Sequence, residues 1–146
     1  MERTEQVDTP APPAELFAVV EDLGRYPDWL DIVVRTTAAD PLPGDEGPAW
    51  SVELRGRLGP LARSKRLRMV RTVHEPDARV VFERREPGEH SHSPWRLTAL
   101  VEPQGEGSRL TMSLHYGGAL WGPMLERLLA DEVVASRSRL LELVSA

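Results

Sequence analysis

Polar and apolar residues alternate between residues 50 and 116 with a period of two, which is typical of half-buried β-strands. The alternation is clearest from Trp50, where Val52 and Leu54 are separated by charged and polar neighbours. It recurs around residues 66–73, 80–82, 95–102 and 109–116. Short turns rich in glycine, proline and acidic residues separate these segments. The pattern therefore predicts an antiparallel meander of at least five strands.

The chain that precedes the meander predicts one more strand and two short helices. Residues 2–9 predict a strand that stops at a run of prolines. Leu16, Phe17 and Val20 then follow helical spacing behind a proline entry. Residues 25–30 predict a second short helical turn. We therefore expect two short helices after the first strand.

The C-terminal segment predicts a long amphipathic helix. No helix-breaking residue occurs from Met124 to Val144, a stretch of roughly 30 Å at 1.5 Å per residue. Its leucines and valines fall on one stripe. A sheet with one apolar face needs a cover, and this helix supplies it. We expect residues 1–146 to form a single α+β domain in which a curved antiparallel sheet wraps around the C-terminal helix.

Composition and motifs exclude several kinds of site. The 146 residues contain no cysteine, which excludes disulfides, thiolate nucleophiles and cysteine-ligated metals. No phosphate-binding, dinucleotide-binding or nucleophile-elbow motif occurs. His90 and His92 lie in a polar segment flanked by glycine and proline, which is typical of a solvated loop. We therefore expect no metal and no other cofactor.

The terminus and the charge bear on location and partners. The first six residues are mostly polar or charged and lack the apolar stretch of a signal peptide. No run reaches the roughly 18 apolar residues that a membrane span needs. We therefore expect a cytoplasmic protein without a membrane span. The net charge of −5 gives no general attraction to DNA. A homodimer is compatible with the sequence, although no feature indicates one.

The large side chains predicted beneath the long helix favour an internal cavity. Aromatic residues leave packing gaps and bring polar atoms that need partners, while methionines adapt to irregular space. The predicted lining combines inward strand positions, one tryptophan of the second short helix and the inner stripe of the terminal helix. These residues are Trp29, Trp50, Val52, Leu54, Met69, Arg71, Phe82, Trp95, Leu97, Met112, Leu114, Tyr116, Leu129, Glu132, Val133 and Ser136.

Three residues of this predicted lining, Glu132, Tyr116 and Arg71, are candidate acid–base groups. Glu132 lies one helical turn from Ser136 on the inner stripe. It either faces the cavity or reaches an edge or an ion pair, with Arg71 or Arg139 as partner. Arg71 interrupts an apolar strand face. It is either a counter-ion for Glu132 or the ligand, or the mark of a strand end or a bulge.

Residues 55–71 carry seven basic residues and no acidic one. By the strand alternation most of them face outward. They form either a basic patch that could meet an acidic partner, or a solvated face balanced by acids on neighbouring strands. No aromatic residue interleaves with them to stack on bases.

Two segments, PAELFAVVED at residues 13–22 and YPDWL at residues 26–30, carry a family resemblance. Together with the order of elements, they resemble the START-like (SRPBCC) superfamily, and within it the bacterial polyketide cyclase/dehydrase-type group. The resemblance covers essentially the whole chain. It implies a helix-grip fold with a hydrophobic tunnel between the sheet and the terminal helix. It also implies binding of lipids, sterols, polyketides, quinones or hormones, and in some members cyclisation and dehydration of polyketide chains.

Three functions follow from these observations. The first is binding of a small hydrophobic or amphipathic molecule, lipid-, quinone- or polyketide-like, which needs only the cavity. The second is a polyketide cyclase or dehydratase activity that uses the polar cavity residues. The third is an interaction module that uses the basic outer face of the sheet. The sequence favours them in this order.

Overall fold

The described residues form a curved, seven-stranded antiparallel sheet, with two short helices after the first strand and a helix near the C-terminus. The computed structural model describes residues 2–58, 61–88, 92–117 and 135–144. Sheet order is β1-β7-β6-β5-β4-β3-β2, so every strand from β2 to β7 pairs with its sequence neighbour and β1 pairs with β7. The predicted α+β class, with a sheet and a C-terminal helix, is confirmed.

The elements follow the predicted order. The strands are β1 (Glu2–Thr9), β2 (Val33–Ala39), β3 (Ala49–Leu58), β4 (Leu61–Glu75), β5 (Arg79–Arg84), β6 (Trp95–Gln104) and β7 (Gly107–Tyr116). Between β1 and β2 lie helix α1 (Pro13–Val20) and a 3₁₀ helix (Leu23–Asp28). Residues 135–144 are helical and are called α2 here. The first part of the predicted terminal helix lies outside the described residues.

Strand β2 has no counterpart in the prediction from sequence. It is an edge strand that pairs with β3, and its register shifts between Val33 and Arg35. Its burial does not alternate, since the residues after Val33 are exposed or only half-buried. Strands are predicted from alternation between buried and exposed residues. Strand β2 lacks this alternation because its register shifts and only one of its edges is paired.

The two N-terminal helices form where the sequence places them. Proline occupies the first turn of α1, where its missing N–H costs nothing, and Leu16, Phe17, Val19 and Val20 are buried. Asp22 caps the 3₁₀ helix by accepting a hydrogen bond from the Gly24 N–H at 2.8 Å. These helices therefore close one end of the sheet.

Helix α2 packs its inner face on the sheet. Ser136, Leu140 and Val144 are buried and recur every four residues, which places them on one face. Leu140 and Val144 belong to the same hydrophobic core as the inward residues of β3 to β7. None of the described helices is long and apolar enough to cross a membrane.

The first and last strands are joined tightly. Ser108 donates a hydrogen bond from Oγ to the Ala11 carbonyl oxygen at 2.7 Å. At Gly107 a β-carbon would overlap the Thr9 carbonyl oxygen and the Pro10 backbone. The chain leaving β1 therefore passes so close to β7 that only glycine fits at this position.

Candidate functional site: a cavity between the sheet and helix α2

An apolar cavity of about 150 Å³ lies between the concave face of the sheet, the 3₁₀ helix and α2. Strands β1, β2, β3, β4, β6 and β7 all contribute side chains, and β5 contributes none of the described lining. The described lining is Arg3, Glu5, Val7, Leu23, Tyr26, Trp29, Leu30, Ile32, Val33, Val52, Leu54, Leu67, Met69, Trp95, Leu97, Leu110, Met112, Leu114, Ser136, Arg137 and Leu140. A cavity of this volume is large enough for one benzene ring.

Two tryptophans that line the cavity carry buried hydrogen-bond donors. Trp29 and Trp95 are 3% and 4% exposed, and both line the cavity. Their indole Nε1 atoms are buried and have no hydrogen-bond partner in the part of the chain that the structure describes. Leaving a buried donor unpaired costs about 1–3 kcal/mol. Two residues of the apolar wall therefore carry a buried donor that has no partner among the described residues.

The structure brings nine of the predicted lining residues together at this cavity. They are Trp29, Val52, Leu54, Met69, Trp95, Leu97, Met112, Leu114 and Ser136. Leu129, Glu132 and Val133 lie outside the described residues. The remaining four predicted lining residues, Trp50, Arg71, Phe82 and Tyr116, are not among the described lining residues of the cavity.

Phe82, Trp50 and Tyr116 face the interior without reaching the cavity. Phe82 is fully buried, with ring centroids 6.0 Å from Tyr26 and 5.7 Å from Trp50, both edge-on. The ring of Tyr116 packs at a tilt on the ring of Trp95, with centroids 4.6 Å apart. These three residues pack against other aromatic side chains and are not among the described lining residues.

Arg71 lies at a β-bulge. The β4–β5 register shifts between Arg71 and Val73, which is one of the two structural origins expected for an arginine in an apolar face. Its Nη1 donates to the Glu21 carbonyl oxygen at 3.2 Å and lies 4.0 Å from Glu21 Oε1. His74 Nε2 lies 3.1 Å from the same carboxylate oxygen. Arg71 therefore ties β4 to the end of α1 and is not among the described lining residues of the cavity.

Sequence reasoning missed the contribution of β1. Arg3, Glu5 and Val7 lie on its inward face, opposite Leu114, Met112 and Leu110 of β7. Since two of these three inward residues are charged, no apolar alternation reveals the face. Leu67 and Leu110 could have been found, because they continue the inward series of Met69 and of Met112.

Tyr26 holds one end of the cavity. Its side chain is fully buried, and its hydroxyl donates to the Val20 carbonyl oxygen at 2.8 Å. The ring lies 5.0 Å from Trp29 and so positions that indole in the wall. Burial, and to a smaller extent the negative charge of Asp22, raise the pKa of Tyr26 well above its usual range.

The raised pKa of Tyr26 predicts a loss of stability at alkaline pH. Below about pH 10 the tyrosine is protonated in both states, and its contribution is constant. Above that pH the unfolded chain releases the proton while the folded protein retains it, so the free energy of unfolding falls by about 1.4 kcal/mol per pH unit. Urea unfolding of the wild type and of Tyr26→Phe between pH 9 and pH 11 measures this. The variant should start about 1 kcal/mol less stable and lose stability less steeply. If the free energy of unfolding fell equally with pH in the two proteins, the raised pKa of Tyr26 would be contradicted.

Family membership follows from a match over nearly the whole chain. Residues 2–143 match the sequence profile of the family described as "Polyketide cyclase / dehydrase and lipid transport". The chain belongs to this family. No curated protein matches the chain in sequence.

Solved structures with the same fold include proteins with little sequence identity to this polyketide cyclase/dehydrase family member. A protein from Thermus thermophilus is 18% identical, with a TM-score of 0.71 over 99% of this chain and 97% of that one. A START superfamily protein from Mycobacterium smegmatis is 13% identical, with a TM-score of 0.70 and the same coverage. The di-domain ARO/CYC protein StfQ of steffimycin biosynthesis is 12% identical, with a TM-score of 0.70. This chain spans half the length of StfQ. The helix-grip fold expected from the resemblance is thereby confirmed.

Two of the three candidate acid–base groups are not among the described lining residues of the cavity in this family member. Arg71 and Tyr116 are not among the described lining residues, and Glu132 lies outside the described part of the chain. Tyr26 donates its hydroxyl hydrogen to the backbone, and Glu5 is ion-paired with Arg3 at 2.9 Å. No group of three or more metal-binding side chains occurs among the described residues. A catalytic role for Glu132, Tyr116 and Arg71 therefore gains no support from the described geometry.

The basic outer face is partly neutralised. Arg68 makes a bidentate pair with Asp45, with N–O distances of 2.7 and 3.1 Å, and holds the pKa of that carboxyl at about 2. Arg55 lies 3.9 Å from Glu53, which also stands opposite Arg66 in the register. These contacts favour the solvated, balanced face over a patch that binds an acidic partner.

Proposed function

We propose that this protein binds a small hydrophobic or amphipathic molecule in the cavity between the sheet and α2. The observation that carries the proposal is the apolar cavity of about 150 Å³, whose wall is built from six strands, the 3₁₀ helix and α2. Apolar surface of this kind, enclosed within a folded chain, is the usual setting of small-molecule sites. Membership of a family described by cyclisation, dehydration and lipid transport agrees with this function.

The two unpaired indole N–H groups favour a ligand that carries a hydrogen-bond acceptor. Trp29 and Trp95 both stand in the wall, and neither indole has a partner among the described residues. An acceptor on the ligand that reached one of them would remove the cost of an unsatisfied buried donor. A carbonyl, ether or quinone oxygen supplies such an acceptor, whereas a pure hydrocarbon does not.

Ligand binding is better supported than catalysis, because binding requires only the apolar cavity and no catalytic side chain. Acid–base catalysis needs a titratable group within reach of the substrate. Of the three candidates, Tyr116 and Arg71 are not among the described lining residues, and Glu132 lies outside the described part of the chain. Cyclisation or dehydration of a polyketide chain therefore stays a second hypothesis. Cytoplasmic location, the lack of a DNA partner and the oligomeric state also stay predictions.

Native mass spectrometry of freshly purified protein tests the proposal, together with organic extraction of any molecule that co-purifies. We expect one small apolar or amphipathic molecule per chain. A panel of lipid-, quinone- and polyketide-like compounds should then raise the melting temperature. A ligand present at 100 times its Kd adds about 2.7 kcal/mol of stability, which for a chain of this size is a shift of roughly 5–10 °C. Protein that purifies empty and does not respond to the panel would contradict the proposal.

A further inference from the structure

Three of the described lining residues of the cavity are charged. Arg3 and Glu5 reach it from β1, and Arg137 reaches it from α2. The other described lining residues carry no charge at neutral pH. Arg137 is exposed, while Arg3 and Glu5 are about one-third exposed, at 32% and 34%. These three residues therefore mark the side of the cavity that opens to solvent, between β1 and α2.

The charges at this opening do not cancel. Arg3 Nη2 pairs with Glu5 Oε1 at 2.9 Å, which neutralises one arginine. Arg137 Nη2 donates to the Gln6 carbonyl oxygen at 3.5 Å, the outer limit of a hydrogen bond, and that oxygen is neutral. Arg3 Nε is buried and has no partner among the described residues. The described opening thus carries one net positive charge and guanidinium N–H groups with unused capacity.

A positive opening above an apolar cavity suits a ligand with an apolar body and an anionic head. Guanidinium groups bind carboxylate and phosphate oxygens through paired, charge-assisted hydrogen bonds. The backbone places the two arginines near one another, because Arg137 contacts Gln6, about 10 Å along β1 from Arg3. Resting on the proposed ligand-binding function, we propose that the ligand carries an anionic oxygen group, which Arg137 and Arg3 bind at the opening while the apolar body fills the cavity.

Octanoate, octyl phosphate and 1-octanol test the proposal, since they share one chain and differ in the head group. An eight-carbon chain can place about six carbons in a cavity that holds a benzene ring and keep its head at the opening. The full-length protein is titrated with each compound by calorimetry or by chemical-shift changes. At least one anion should bind about fivefold or more tightly than the alcohol at low salt, and the difference should shrink as salt is added. A preference between the two anions would identify the head as carboxylate or phosphate.

Variants expected to weaken and to tighten anion binding show whether the charged residues at the opening bind the ligand or only stabilise the fold. Arg137→Gln and Arg3→Gln should each weaken anion binding about fivefold and leave 1-octanol binding unchanged. Glu5→Gln releases Arg3 and removes a repelling carboxylate, so it should tighten anion binding. Arg96→Gln changes an exposed arginine on the outer face of β6 and should alter neither anion binding nor 1-octanol binding.

The outcomes also separate this inference from the proposed function. Equal binding of the anions and 1-octanol, unchanged in these variants, would overturn the anionic head group and leave the cavity as a binding site. Failure of all three compounds to bind would contradict the proposed function itself, and the inference with it.

Discussion

Leu114→Trp is expected to weaken ligand binding roughly fiftyfold while the protein stays folded. Leu114 is half-buried and lines the cavity from β7, opposite Arg3 of β1 and Leu97 of β6. An indole there takes space that the ligand would fill. Each methylene that the ligand can no longer bury costs about 0.8 kcal/mol, so the loss of three weakens binding roughly fiftyfold. Calorimetric titration with the extracted ligand, or with octanoate, measures the change.

Arg96→Trp is the matched control for this variant. It adds the same indole to the neighbouring strand on the opposite, exposed face. Its affinity should equal that of the wild type. If Leu114→Trp retained full affinity with an unchanged melting temperature, the ligand would have to bind elsewhere, and the proposed site would be wrong.

Phe82→Ala is expected to lower stability by about 3–5 kcal/mol, the range for removing a buried aromatic ring from a core. Phe82 is fully buried and supports Tyr26 and Trp50 edge-on, so its removal leaves a void that these rings can close only in part. At roughly 2–4 °C per kcal/mol, the melting temperature should fall by about 10 °C. Urea unfolding gives the free energy directly.

The same variant decides whether Phe82 belongs to the ligand site. Because Phe82 is not a lining residue of the cavity, the folded fraction of Phe82→Ala should bind ligand as the wild type does. Phe82→Leu, which keeps most of the apolar volume, should lose less than about 1.5 kcal/mol. A small loss of stability with a large loss of affinity would instead return Phe82 to the cavity wall.

The sheet could be predicted from sequence because its period of two is visible in single residues. Val52 and Leu54 alternate with exposed or half-buried neighbours, and so do Trp95, Leu97 and Ala99, in segments where one face of the sheet is buried. Strand β2 could not be predicted in this way, because its shifted register and exposed edge remove the alternation.

The cavity was harder to predict than the sheet. The periodicity of the sequence indicates which side chains face inward. It does not indicate where packing between those side chains leaves a cavity. Phe82 and Met69 both face inward, yet Phe82 packs against aromatic rings and Met69 borders the cavity. The difference depends on distances between elements far apart in sequence. Arg3 and Glu5 could not be predicted as lining residues for a second reason. Inward strand faces are recognised by apolar residues, and these two inward residues are charged.

The pairing of β1 with β7 sets an order on folding during synthesis. Thr4 and Ser113, whose hydroxyl oxygens are 3.1 Å apart across these strands, are 109 positions apart in the chain. Since protein synthesis proceeds at about 5–20 residues per second, roughly 5–20 s pass between the synthesis of β1 and that of its partner strand β7. Loop closure of this length is slow, and an unpaired strand is exposed to other chains in the meantime. Charged side chains oppose edge-to-edge pairing of strands, so we expect Arg3 and Glu5 to reduce aggregation while β1 lacks its partner strand.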